Sequence, residues 1–143
     1  MKKIGLVTLA VFMTMLLSGC GEKKQMLSCT QTPKGIKVEF NVGFKGNVIE
    51  TMDFNYDVDL NEYTDEQIES IKKQDFCSTI KESFSDYKEA FSNCKHAVES
   101  NKHLKVSAEL LVDKIAKNAL DKMTSIDEAK KSLESEGYTC TIK

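Results

Sequence analysis

The chain has 143 residues, with 20 basic against 22 acidic side chains and a net charge of −2 at neutral pH. Every basic residue is lysine and tryptophan is absent. A mildly acidic chain without arginine lacks the clustered positive charge that phosphate contacts need, which argues against nucleic acid as a partner. The missing tryptophan weakens a carbohydrate-binding platform.

Lys2 and Lys3 precede an apolar run from Ile4 to Leu17. About fourteen residues fall short of the roughly twenty needed to cross a ~30 Å hydrocarbon core. With the small residues Ser18 and Gly19 behind it, the run reads as a secretory signal peptide covering residues 1–19. Leu17-Ser18-Gly19-Cys20 resembles the lipobox of bacterial lipoproteins. That resemblance implies a diacylglyceryl group, with acyl chains such as palmitate, on the Cys20 thiol. It also implies cleavage just before Cys20. One acyl chain holds a protein marginally, whereas two hold it stably. The expected protein is anchored on the extracytoplasmic face of the cell membrane without spanning it. Residues 20–25 then form a lipidated tether, and residues 26–143 are one domain's worth of chain. Losing Lys2 and Lys3 leaves 18 lysines against 22 acids, a net charge of about −4.

Setting Cys20 aside leaves Cys29, Cys77, Cys94 and Cys140. The number is even and the expected compartment is oxidising, so two disulfides are the natural reading. Three pairings are open. The expected one is Cys77–Cys94 with Cys29–Cys140. The first closes a short loop, worth about 3 kcal/mol, and the second a long one, worth about 4.7 kcal/mol. The long one would tie the first structured segment to the last. No Cys-x-x-Cys occurs, and the spacings contain no local zinc ligand pair.

Residues Met26 to Thr32 read as an edge strand carrying Cys29, ended by Pro33. Ile36, Val38, Phe40, Val42 and Phe44 then alternate with polar or small residues. Val48, Met52, Phe54, Tyr56, Val58 and Leu60 keep the same period. Lys45-Gly46-Asn47 between the two runs marks a hairpin. Thr64 and Gln67 form a capping-box signature. The helix they open carries Cys77, Ile80, Phe84, Tyr87 and Phe91 at helical spacing, with a bend expected between Lys72 and Asp75. This aromatic stripe reads as core packing. A second hairpin follows, with His96 and Val98, a turn at Ser100 to His103, and then Leu104, Val106, Ala108, Leu110 and Val112. Lys114 to Met123 shows helical spacing. Ser125 with Glu128 opens a last helix that Gly137 stops. Tyr138 to Ile142 is an extended tail holding Cys140. The expected fold is α+β: an antiparallel sheet from two hairpins, with helices packed on one face.

The lipobox, the strand ending in "FNYDVDL", the central helix, the second hairpin and the late "EAKKSLESEGYTC" segment resemble small bacterial lipoproteins of the YehR type. The resemblance covers most of the chain after the signal. It implies an α+β domain on an extracytoplasmic lipid anchor and carries no catalytic or ligand residue with it.

Asp57-x-Asp59-x-Asn61 matches the start of a calcium loop. Glu62 stands where that loop needs glycine, and Ile68 where it needs a bidentate glutamate. A looser cation site on Asp53, Asp57 and Asp59 remains the weak metal candidate. No nucleophile elbow and no phosphate-binding glycine loop are present, and no cofactor is expected. The expected function is a monomeric, non-enzymatic binding or structural module of the cell envelope, with an unidentified protein or small-ligand partner. The alternatives are an envelope hydrolase or accessory enzyme, and a small-ligand or cation receptor. Replacing Cys20 by alanine should move the protein from the membrane to the aqueous fraction. Intact-mass spectrometry of the wild-type chain should show a diacylglyceryl adduct on Cys20.

Overall fold

The structure, a computed structural model, describes residues 23–115 and 117–143. The expected signal peptide and the Cys20 lipidation site lie outside these residues. Six strands form one antiparallel sheet: β1 (Lys24–Gln31), β2 (Ile36–Lys45), β3 (Val48–Asp59), β4 (Phe91–Val98), β5 (His103–Leu110) and β6 (Thr139–Ile142). They lie in the order β4-β5-β3-β2-β1-β6. Four α-helices are found among the described residues: α1 (Asp65–Lys72), α2 (Phe76–Ser83), α3 (Lys117–Leu120) and α4 (Ile126–Ser135). The domain is thus mixed α+β.

The sheet is wider than two hairpins. β1 is an interior strand, because β6 pairs along its free side from Leu27↔Ile142 to Thr30↔Thr139. Leu27 and Cys29 are accordingly fully buried. The edge expected at Met26 to Thr32 is instead held by the short β6. Two disulfides are present. Cys29–Cys140 joins directly opposed residues of β1 and β6, with Cα atoms 4.1 Å apart. Cys77–Cys94 joins α2 to β4, with Cα atoms 5.9 Å apart.

β2 and β3 alternate as their sequence demands, up to a bulge. Gly43 pairs with Thr51, but Phe44 pairs with Ile49, so Glu50 is the extra residue. The bulge turns Ile49 toward the core and leaves Val48 62% exposed, where unbroken alternation puts Val48 inside. A side chain at Gly43 would meet Thr51 Oγ1, which would have to turn away to admit it.

The long helix expected after Thr64 is three pieces. Thr64 and Gln67 make the full reciprocal capping box, at 3.3 and 2.9 Å. Asp75 then caps a new helix, its carboxylate accepting from Ser78 N at 3.1 Å. That break falls at the expected bend. The chain tightens into 3₁₀ turns at 85–90, and Phe91 starts β4 instead of ending a helix. Val112 likewise leaves the sheet for a 3₁₀ turn, because Leu111 N bonds back to Ala90 O at 2.8 Å. Of the helix expected over Lys114 to Met123, Lys117–Leu120 alone is α-helical among the described residues. Ser125 caps α4 through Glu128 N at 3.2 Å, while the Glu128 carboxylate turns to Lys131.

One cluster of buried side chains joins Leu27, Val42, Phe44, Met52 and Phe54 of the strands to Ala129 and Leu133 of α4. A second joins Leu60, Leu104 and Val106 to Ile68 of α1. Replacing Cys29 and Cys140 together by alanine should lower unfolding stability by roughly 4–5 kcal/mol, since a closed loop of this length removes that much chain entropy from the unfolded state. Denaturant unfolding at equal pH measures it. Replacing Cys77 and Cys94 should lose less.

Candidate functional site

Alternation on β2 and β3 sends Phe40, Phe54 and Tyr56 to the same side of the sheet, where they meet the segment from Phe84 to Phe91. Between them, closed by Ala119 to Met123 and by Ser132 to Tyr138, lies a cavity of about 440 Å³. Seven aromatic side chains line it: Phe40, Phe54, Tyr56, Phe84, Tyr87, Phe91 and Tyr138. Five of the rings, Tyr56, Phe54, Phe91, Phe84 and Tyr87, are linked in a chain of contacts. Phe54 meets Tyr56 edge-on at 5.3 Å between ring centres and Phe91 at 5.4 Å. Phe84 stacks on Phe91 at 6.3 Å and turns its edge to Tyr87 at 6.4 Å. Such offset and edge-on pairs are the favourable geometries of aromatic quadrupoles. Phe84 is nonetheless 40% exposed, at the open side of the wall.

Tyr138 reaches the cavity through the way α4 ends. Gly137 takes a left-handed backbone with φ +96°. Gly137 N then donates to Glu134 O and Tyr138 N to Leu133 O, both at 3.1 Å. This is a Schellman motif, which folds the residue after the glycine back onto the last turn. Tyr138 and Leu133 consequently line the cavity together. Gln31 Nε2 caps a further carbonyl, that of Glu136, at 3.3 Å.

Part of the wall is polar. Lys122, Asn118 and Glu136 are exposed, and Ser132 is half-buried. Tyr56 and Tyr138 are half-buried, and both phenols are pushed above their ordinary value of 10.0, first by burial. Tyr138 adds to the rise at Tyr56, and Glu136 to the rise at Tyr138. Both therefore keep their protons throughout the neutral range.

The weak metal candidates face away from this cavity, on alternate positions of β3, and do not converge. Asp57 Oδ1 lies 2.6 Å from His103 Nδ1. Asp59 accepts from the Asn61 backbone N–H at 2.8 Å and from its side-chain amide at 2.6 Å, which holds its carboxyl below the ordinary value. Asp53 accepts from the amides of Asn41 and Asn55. Among the described residues, no group of three or more His, Cys, Asp and Glu side chains could hold a metal ion. His96 packs edge-on against Phe76, its Nδ1 3.6 Å from Cys77 Sγ.

Matched against family models, curated proteins and solved structures, the chain finds no counterpart in any of the three. Of the stripe read from the sequence as core packing, Ile80, Tyr87 and Phe91 do pack against the core, and Phe84, Tyr87 and Phe91 also line the cavity. Tyr138 is the lining residue that periodicity missed, since it belongs to no helix stripe. Its position directly after a helix-ending glycine was the available signal.

Outside the cavity, Asp57 raises the His103 imidazole above its ordinary 6.5 through their hydrogen bond. Folding therefore favours the charged ring. The pair adds stability below pH 6.5, and that gain is lost as pH rises through the raised value of the folded state. Proton NMR titration of His103 should show a midpoint above 6.5 in the wild type, and Asp57→Asn should bring it back down.

Proposed function

We propose that this chain is a lipid-anchored protein of the extracytoplasmic membrane face, in which helices cover one face of the sheet and enclose a binding site for a small, mainly apolar ligand. The YehR-type lipoproteins are the family this layout resembles. The observation that carries the reading is the aromatic cavity of about 440 Å³. Ligand sites run from about 300 to 1,000 Å³ and are lined mostly by apolar and aromatic side chains with a few polar groups. The cavity opens to solvent on the side of the exposed Phe84, which leaves a way in for a ligand. The two disulfides suit an oxidising compartment.

Binding without turnover is favoured by the direction of the pKa shifts. A catalytic acid or base works best with its pKa near the operating pH. Tyr56 and Tyr138 are displaced the other way, upward from 10.0. Among the described residues, no helix is long and apolar enough to cross a membrane. Attachment in this reading rests on Cys20 alone.

The test is to fill the void. N-phenyl-1-naphthylamine, a neutral apolar probe, should shift the amide resonances of Phe54, Tyr87 and Tyr138 in the full chain. Ala119→Phe, which extends a ring into the cavity, should weaken that binding about tenfold or more and leave the unfolding midpoint unchanged or higher. Binding that leaves the cavity amides unmoved, or that survives Ala119→Phe unchanged, would overturn the assignment.

A further inference from the structure

β1 begins at Lys24, inside the stretch read from the sequence as a tether. The carbonyl before it is held as well: Lys23 O accepts from Gly46 N at 3.0 Å, in the turn between β2 and β3. Three peptide links then separate Cys20 from Lys23, a reach of about 11 Å at full extension. Acyl chains would hold Cys20 at the edge of the hydrocarbon, and the headgroup layer outside that edge is about 6 Å thick. In a lipidated chain this hairpin end therefore stands at the headgroups.

Its side chains suit that level. Lys24 and Lys45 are directly opposed on β1 and β2, Lys23 adjoins them, and all three are exposed. Like charges so placed repel one another. Glu50 answers Lys24 at 3.6 Å, whereas among the described residues Lys23 and Lys45 have no ion-pair partner. Val48, at the same end, is 62% exposed. The rest of the chain is acidic. With Lys23, Lys24, Lys45, Glu22 and Glu50 set aside, residues 20–143 hold 15 lysines against 20 acids. Glu50, Asp53, Glu109 and Asp113 line an open groove behind the hairpin end, which opposes any deeper approach of an anionic surface.

We propose that the β2–β3 hairpin end is a docking surface for anionic phospholipid headgroups, with Lys23, Lys24 and Lys45 on the phosphates and Val48 set among them. This rests on the lipid-anchored reading and adds a pose to it. Attachment stays with the lipid. The lysines stop the domain from swinging on its short tether, because a basic cluster is drawn to an anionic surface within a Debye length and the acidic remainder is not.

The test places the lipidated full chain in phospholipid nanodiscs that carry a nitroxide-headgroup lipid, which broadens amide resonances near the surface. In discs containing phosphatidylglycerol, Gly46, Asn47 and Val48 should broaden strongly. Glu62 and Tyr63, past the far end of β3 and about 36 Å away along the strand, should not. In phosphatidylcholine alone, the contrast between the two ends should fall about fivefold or more, the effect of a single lysine at an anionic surface. Lys23→Glu with Lys45→Glu should lose the contrast likewise in the anionic discs. Both side chains are exposed, so the unfolding midpoint should hold and show the variant folded. A contrast equal in anionic and neutral discs, or unchanged in the variant, would mean that the tether alone sets the position; it would overturn the proposal and leave the anchor standing. Broadening at Glu62 as strong as at Asn47 would overturn it too. If Cys20 carries no diacylglyceryl group, the anchor reading itself is wrong and the proposal falls with it.

Discussion

β6 has four residues, and of these only Cys140 is buried. A strand so short cannot hold its place by apolar burial. Its partner lies over a hundred residues away, so bringing the two together carries a loop-closure entropy of about 4 kcal/mol. The Cys29–Cys140 bond removes that closure from the folding balance by making it already true of the unfolded chain. Much then depends on the bond. With β6 in place, β1 becomes interior and Leu27 is fully buried. Tyr138, one residue before β6, is held against the end of α4 and cannot swing away from the cavity. The same covalent link that completes the sheet thus positions a wall of the candidate site.

The opposite face of the sheet shows a different economy, built from polar residues in register. Ser28, Asn41, Asp53 and Glu109 stand in one row across β1, β2, β3 and β5. Asp53 and Glu109 are directly opposed, and like charges in that position are destabilising. Amides intervene. Asn41 donates to Asp53 Oδ1 at 2.9 Å and to Glu39 Oε1 at 3.1 Å, its own oxygen accepting from Ser28 at 2.8 Å. Asn93 donates to Glu109 Oε2 at 2.7 Å from a left-handed backbone of φ 49°. Asparagine tolerates that conformation better than most residues. The register of β4 shifts at this point, between Ser92 and Lys95, and the irregularity falls on an edge strand, where it discourages further strand pairing.

Period and capping made much of the fold legible before any coordinates. The alternation from Ile36 onward, the box at Thr64 and Gln67 and the stop at Gly137 are local signals, each decided by residues within a few positions of one another. What was illegible is decided at long range. Nothing near Met26 says whether its strand will have one neighbour or two, because the answer lies in the last residues of the chain. Phe84, Tyr87 and Phe91 keep helical spacing, yet the chain leaves the helix after Ser83 because β4 must begin where β5 can receive it. Val48 obeys the two-residue period and is still outside, since one extra residue at Glu50 reverses the faces. The cavity was the least legible feature. A period of two or of 3.6 states which side chains point inward and is silent on whether they meet.

Why they do not meet follows from the elements over them. The part of the sheet that carries Phe40, Phe54 and Tyr56 faces the 3₁₀ segment at 85–90, the helix Lys117–Leu120 and the last turn of α4. The first two present few side chains each. Their rings are rigid, with two rotatable bonds, so they tile a surface more readily than they fill a space. Edge-on contacts at 5.3 and 5.4 Å hold Phe54, itself buried, against Tyr56 and Phe91. Cys77–Cys94 fixes α2 to β4 and brackets the segment from Phe84 to Phe91 in the chain, which limits how far that segment can move from the sheet. An open cavity held by a covalent link on either side, the other being Cys29–Cys140 beneath Tyr138, is preorganised. A ligand entering it would displace water from rings already in position and need order little of the protein, the condition under which modest contacts yield useful affinity.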